Sequence, residues 1–340
     1  MRGEGFHSRF QALMVATALS LLTLTSSTLT AVAQTATGGP APISKNNAPP
    51  LPQATKQENG QFTIQTNVNE VNLIFTVTDK HGHFIQNLQQ NDFALLDNQE
   101  APAQVFSFTQ QTNLPLRLGI LIDASTSIRQ RFSFEQQAAI QFLQQVLRPR
   151  TDLAFVMGFD VTPYVTQKYT NDQELLESGI TKLRPGGGTA LFDAVYTACR
   201  DQLLNVPTSE QGSVRKAMIV ISDGDDNQSR AYPDDAIKMC QRAGTILYTI
   251  STNVSPSRDR GDDVLKKMAE ATGGTPFFPR RLEDMSNNFH DIEDELRSQY
   301  SLVYRPADFK LNGEFRSIYL VALDRHYSVR ALKGYFAPKS

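Results

Sequence analysis

The stretch that decides the fold runs from Leu116 to Ser127 and reads Leu-Arg-Leu-Gly-Ile-Leu-Ile-Asp-Ala-Ser-Thr-Ser. Its apolar part, Leu116 to Ile122, is of strand length and stops abruptly at Asp123, after which Phe134 to Leu147 has the spacing of an amphipathic helix. A nearly continuous apolar run bounded by turn residues reads as a strand covered on both faces. The same pattern recurs downstream. Strands are predicted at 153–159, 217–221, 246–250 and 276–278, and helices at 173–183, 190–204, 233–243, 262–271 and 285–299. Strands alternating with helices predict an α/β fold, a doubly wound and mostly parallel sheet with helices on both faces.

Outward from this core, spanning 115–300, the pattern changes. Val71, Leu73, Phe75 and Val77 alternate with polar neighbours before the turn residues Asp79-Lys80-His81-Gly82, and Phe93, Leu95, Val105, Phe106 and Phe108 continue a strand-and-turn rhythm. After Tyr300, strands are predicted at 301–304, 318–323 and 327–331. Neither flank has enough strands to bury a sheet alone, so the N-terminal segment 61–112 and the C-terminal segment 301–340 are expected to pair into one small β-sandwich unit.

Residues 34–60, with Pro40, Pro42, Pro49, Pro50 and Pro52 and no apolar period, read as a disordered linker. Residues 1–33 have the order of a secretory signal peptide: Arg2 and Arg9, an apolar run from Ala12 to about Leu24, then Ala31-Val32-Ala33. Seven Ser and Thr residues between Ser20 and Thr30 dilute the apolarity that a membrane span requires. The chain is therefore expected to be exported, periplasmic or secreted, with no integral span once the signal is removed. No cysteine near the cleavage site suggests a lipid anchor.

With 340 residues, 40% hydrophobic and 20% charged, the chain can bury a sizeable core, which excludes a disordered or coiled-coil protein. A net charge of −2 without a basic run argues against a nucleic-acid partner.

In an open parallel sheet, ligands bind outside the carboxyl ends of the strands. Three loops meet that condition: Asp123-Ala124-Ser125-Thr126-Ser127 after one strand, Gly186-Gly187-Gly188-Thr189 before a helix, and Ser222-Asp223-Gly224 after another strand. Two carboxylates and three hydroxyls make a hard, all-oxygen donor set that suits Mg²⁺, with Mn²⁺ or Ca²⁺ as alternatives. Thr189 is expected on a solvent-facing loop, and Asp225, Asp226 and Asn227 as solvated neighbours of the site. A calcium loop of the EF-hand kind is excluded by Gln228 at its sixth position and by the preceding strand. His81 and His83 read as turn residues, since no third ligand lies nearby in sequence.

At these positions, Asp123-x-Ser125-x-Ser127 with Thr189 and Asp223 resembles the metal-ion-dependent adhesion site of von Willebrand factor type A domains, and the likeness extends over about 116–300. The resemblance implies that Ser125 and Ser127 ligate the metal directly, that Thr189 does so directly or through water, and that Asp123 and Asp223 act largely through water. It leaves the sixth position to an Asp or Glu carboxylate of a protein partner. The flanking Val77-Thr78-Asp79-Lys80-x-Gly82, Asn91-Asp92-Phe93, Tyr304-Arg305-Pro306 and Lys333-Gly334-Tyr335 segments are similar to a bacterial secreted subfamily of such proteins. The implied strand order makes neighbours of the helices carrying Cys199 and Cys240, so a disulfide is expected there, with two buried thiols as the alternative.

The function expected is therefore a non-enzymatic binding or adhesion module. A metal-dependent hydrolase and an envelope protein with a vestigial site are the alternatives, but there is no Gly-x-Ser-x-Gly elbow and Ser125 has no His nearby in sequence. The sequence names neither the partner nor the oligomeric state.

Overall fold

The computed structural model describes residues 70–111, 114–129, 131–207, 214–253, 259–281 and 284–339. The expected signal peptide and the linker lie outside them. In chain order, β1 (Val71–Thr78), β2 (Phe93–Asp97) and β3 (Gln104–Gln111) precede β4 (Leu116–Asp123). Then come α1 (Phe132–Val146), β5 (Leu153–Phe159), β6 (Pro163–Thr170), α2 (Gln173–Thr181), α3 (Leu191–Thr197), β7 (Arg215–Ser222), α4 (Pro233–Ala243) and β8 (Ile246–Ser251). The chain closes with α5 (Arg260–Ala271), β9 (Pro276–Phe277), α6 (Met285–Arg297), β10 (Gln299–Arg305), β11 (Phe315–Ala322), β12 (Ser328–Ala331) and β13 (Gly334–Phe336).

The central sheet has the order β6-β5-β4-β7-β8-β9. Strand β4 is buried over its whole length and runs parallel to β5 on one side and β7 on the other. Leu118, Ile120, Ile122, Ile219 and Ile221 pack with residues of α1, α2 and α6, where Phe142 and Phe289 stack at 4.7 Å. Leu121, Met218 and Val220 feed the opposite core with residues of α3, α4 and α5. This is the doubly wound α/β fold that the alternating sequence pattern implies.

Strand β6 departs from that pattern. It pairs antiparallel with β5 at the sheet edge, and no residue of it is buried. An edge strand has no need of an apolar run, so Thr166, Gln167 and Lys168 hide it from a hydrophobicity reading. The predicted helix 190–204 is α3 followed by a π-helical turn, Ala198–Leu203. Helix α6 ends two residues before the predicted 299, because Gln299 already pairs with Thr76 and Gln111 as the first residue of β10.

The flanking segments form two antiparallel sheets, β12-β1-β10-β3 and β13-β11-β2, which share a core of Leu73, Phe75, Val77, Phe93, Leu95, Tyr300, Leu302, Tyr304, Ile318 and Leu320. Burying the apolar face of each sheet against the other removes both from water. Asp97 ends β2 inside this unit and is 1% exposed. It accepts hydrogen bonds from Tyr304 Oη at 2.8 Å, Tyr335 Oη at 2.9 Å and Arg316 Nε at 2.7 Å, joining β10, the β13 strand and β11. Arg316 also explains why the sequence pattern starts β11 late: a buried arginine at an inward position breaks the apolar alternation of Ile318 and Leu320. Glu295 near the end of α6 accepts from Thr275 Oγ1 at 2.8 Å and Thr76 Oγ1 at 3.4 Å, so it links the α/β core to β1.

Cys199 and Cys240 form a disulfide, Cα–Cα 5.0 Å, between the π-helical turn and α4. Its reduction should lower stability by about 4 kcal/mol in the chain-entropy account of a 41-residue closure, read as a drop in melting temperature on adding dithiothreitol. Asp97→Ala should cost about 3–5 kcal/mol, because it leaves the buried Arg316 guanidinium without its counter-charge. Urea unfolding of the two proteins measures the difference.

Candidate metal centre

The site forms where the chain leaves β4 and β7, at the carboxyl ends of two adjacent central strands from which connections run in opposite directions across the sheet. Such a switch point opens a crevice between loops. Asp123 is the last residue of β4 and is completely buried. Its Oδ1 accepts from the backbone N–H of Ser125 at 2.8 Å, which turns the loop over the strand end. Its Oδ2 accepts from Ser222 Oγ at 2.6 Å, which ties that turn to the last residue of β7. Ser222 also accepts from Gly224 N at 3.1 Å, so the loop carrying Asp223 is shaped by the same hydroxyl.

From this base the donors run outward to solvent. Ser125 Oγ lies 2.9 Å from Ser127 Oγ, and Ser127 Oγ donates to Asp223 Oδ2 at 2.8 Å. Ser127 has one hydroxyl hydrogen and gives it to Asp223, so Ser125 is the donor of the serine pair. Ser125 is buried, Asp223 is half-buried and Ser127 is exposed.

The third loop is held by backbone and side-chain bonds from both of its neighbours. Thr126 donates through its N–H and Oγ1 to the Gly187 carbonyl at 3.3 and 2.9 Å, and Gly186 N donates to the Ala124 carbonyl at 2.7 Å. Gly187 has φ +73°, a conformation that favours glycine, and a Cβ on Gly188 would lie 2.6 Å from Asn227 Oδ1. That closeness is used: Asn227 Oδ1 accepts from Thr189 N at 3.0 Å, while the Thr189 carbonyl accepts from Asn227 N and Gln228 N. Asp226 accepts from Phe192 N at 3.0 Å and so supplies the cap that Ala190, at the start of α3, lacks. Asp226 and Asn227 are therefore clamps on the Thr189 loop as well as neighbours of the site; Asn227 and Asp225 are exposed, as expected, and Asp226 is half-buried. Thr189 itself is 3% exposed, not solvent-facing.

The structure thus joins Ser125, Ser127 and Asp223 directly, attaches Asp123 through Ser222 and the Ser125 backbone, and positions Thr189 through its main chain. Burial pushes the Asp123 carboxyl up to about 6; the Ser222 and Ser125 hydrogen bonds oppose that, and the neighbouring Asp223 charge adds to it. The donor set fits a small divalent cation. Hydroxyl and carboxylate oxygens are hard donors, and Ser125, Ser127 and Asp223 bring them within hydrogen-bond distance of one another. Among the described residues no three His, Cys, Asp or Glu side chains gather as a metal site, so hydroxyls are indispensable to this one. His83 instead pairs with Asp79 in its turn, at 3.1 Å.

Ser222 and Glu135 also belong to this neighbourhood and are not marked by the adhesion-site motif. Glu135 lies in the first turn of α1, is completely buried, and neither carboxylate oxygen has a hydrogen-bond partner. Burial pushes it up to about 8; Asp123 and Asp223 act in the same direction and Arg131 opposes them. A signal was available in the sequence, since Glu135 falls on the helix face of Phe132, Ala138, Ala139 and Phe142.

Fold and site together define an α/β module that presents a hydroxyl-rich oxygen site at one sheet edge. The sequence profile of the von Willebrand factor type A domain matches residues 118–295, just over half of the chain. The chain belongs to the von Willebrand factor type A domain family, whose members commonly mediate protein–protein interaction through a metal-ion-dependent adhesion site. A UPF0353 protein of Mycolicibacterium gilvum is 25% identical over 203 residues, a stretch that is 52% of this chain and 59% of that relative. Among solved structures, a von Willebrand factor type A protein from Catenulispora acidiphila is 15% identical, with 75% of this chain and 76% of that one covered and a TM-score of 0.46. Proximal thread matrix protein 1 from the mussel byssus, solved with a zinc-occupied adhesion motif, is 18% identical, with coverages of 58% and 50% and a TM-score of 0.46.

Ser222→Ala should destabilise the protein by about 1–3 kcal/mol, because it leaves a buried Asp123 oxygen without its donor. Thermal unfolding in EDTA isolates this effect from any metal binding.

Proposed function

We propose that this chain is an exported binding module that grips a protein partner through a divalent cation, Mg²⁺ first among candidates, with an Asp or Glu of the partner completing the coordination. The observation that carries the reading is the outward run of oxygens from buried Ser125 through exposed Ser127 to Asp223, at 2.9 and 2.8 Å. Ser125, Ser127 and Thr189 would hold the cation with neutral oxygens, and Asp123 and Asp223 would orient its waters. A bound cation supplies the electrophile that a carboxylate from outside meets. Asp123 and Ser222 fix the turn of the loop below the donors, and Asn227 holds the buried Thr189 through its main chain. The resemblance of 1–33 to a signal peptide supports export to the periplasm or beyond.

Magnesium should raise the melting temperature of the full chain by several degrees over the value in EDTA, since a ligand held only by the folded state adds about 2.7 kcal/mol at a hundredfold excess over its dissociation constant. Thr189→Ala should keep the backbone bonds to Asn227 and lose about 1 kcal/mol of stability, while the magnesium shift largely disappears. A wild-type protein with no shift up to tens of millimolar Mg²⁺ or Mn²⁺ would overturn the metal reading. Recovery of a partner from envelope extract with Mg²⁺, lost in EDTA, tests the binding role.

A further inference from the structure

The β-sandwich buries one face of the sheet β13-β11-β2 and leaves the other to water, yet the water-facing side is apolar. Along β11 the burial alternates, with Arg316, Ile318 and Leu320 inside and Phe315, Ser317 and Tyr319 outside. Val321 and Leu323 continue the outer row at the same period of two. Phe315, Tyr319 and Leu323 are 44%, 58% and 50% exposed. The neighbouring strands extend the patch: Leu96 of β2 lies opposite Tyr319, and Phe336 of β13 lies opposite Phe315, with the two rings edge to face at 5.3 Å. None of these outer side chains is charged, and charge resumes only at Glu314 before the row and at Asp324 and Arg325 after it. The solvent face of an antiparallel sheet is ordinarily polar. Scattered apolar residues on a surface need no explanation, but a contiguous patch marks a contact.

Two features of the row indicate what covers it. Its large side chains recur every fourth residue, at Phe315, Tyr319 and Leu323, and the smaller Ser317 and Val321 fill the gaps. A second copy, turned about a two-fold axis at Ile318, brings Tyr319 over Ser317 and Phe315 over Val321, large over small each time. The row is complementary to itself, which is the requirement of an isologous contact. A two-fold axis also sets each group near it against its own copy, so a charge there would repel itself. An uncharged centre suits such a self-contact and gives a charged partner nothing to pair with. We propose that the outer face of β11, with Leu96 and Phe336, is the interface of a homodimer in which two copies pack face to face with their β11 strands antiparallel. None of its residues belongs to the metal centre, and the inference does not rest on the reading of that centre.

Sedimentation of the full chain in EDTA, which removes any association through a metal, should show a reversible dimer with a dissociation constant in about the micromolar range. Tyr319→Glu sets two carboxylates into the contact and should weaken dimerisation about tenfold or more. Leu175→Glu, a comparable change at an exposed residue of α2, should leave it at wild-type strength. Ser317→Cys supplies one free thiol, because Cys199 and Cys240 are joined to each other. A short bismaleimide should couple this thiol to its copy, and should not do so for Gln145→Cys on the exposed side of α1. The coupling decides the matter should Tyr319→Glu fail to fold. A chain that sediments as a monomer at about 100 µM, a dimer that Tyr319→Glu leaves intact, or coupling at Gln145→Cys as fast as at Ser317→Cys would overturn the proposal. The first of these would assign the face to a different protein.

Discussion

The hydrogen bond from Ser222 to Asp123, 2.6 Å long and wholly buried, is the constraint on which the rest of the site depends. It joins the last residues of two adjacent parallel strands, and each residue has a second task in its own loop. Asp123 turns the chain through the Ser125 N–H, and Ser222 receives the Gly224 N–H. A carboxylate at the floor of a crevice is costly to bury, and its two short hydrogen bonds offset that cost and fix its direction. The oxygens above it, on Ser125, Ser127 and Asp223, then occupy positions set by the sheet rather than by loop flexibility.

Around that floor the protein invests polar side chains in holding backbone. Asn227 holds Thr189, Asp226 caps α3, and Asp193 accepts from Arg230 N and Ala231 N, so the loop after β7 and the start of α3 brace each other. A rigid set of donors loses little entropy when it takes a ligand, which is the usual route to affinity from few contacts. The disulfide between Cys199 and Cys240 braces the same layer from the opposite end of α3.

The antiparallel unit follows the same logic at a different place. Asp97 gathers two tyrosine hydroxyls and an arginine from three strands inside an otherwise apolar core, and this specifies register where apolar packing alone tolerates alternatives. Glu295 continues the connection into the α/β core through Thr76 and Thr275, so α6 ends against the sheet that its own chain enters two residues later.

Local pattern was enough to read the α/β class, the placement of β4, β5, β7 and β8, and the presence of Asp123, Ser125, Ser127, Thr189 and Asp223 at strand or helix ends. Those features are local: apolar runs report burial on two faces, and abrupt stops in them report where loops begin. Strand β6 and the start of β11 escaped because an edge needs no apolar run and an inward arginine breaks the period. Which polar residues serve each other depends on the packing of strands that are distant along the chain. Ser222 and Asp123 are 99 positions apart, Asn227 and Thr189 are 38 apart, and Arg316 and Asp97 are 219 apart. Hydrogen bonding between side chains so distant leaves no period in a sequence, because the pairing is imposed by how the strands lie side by side.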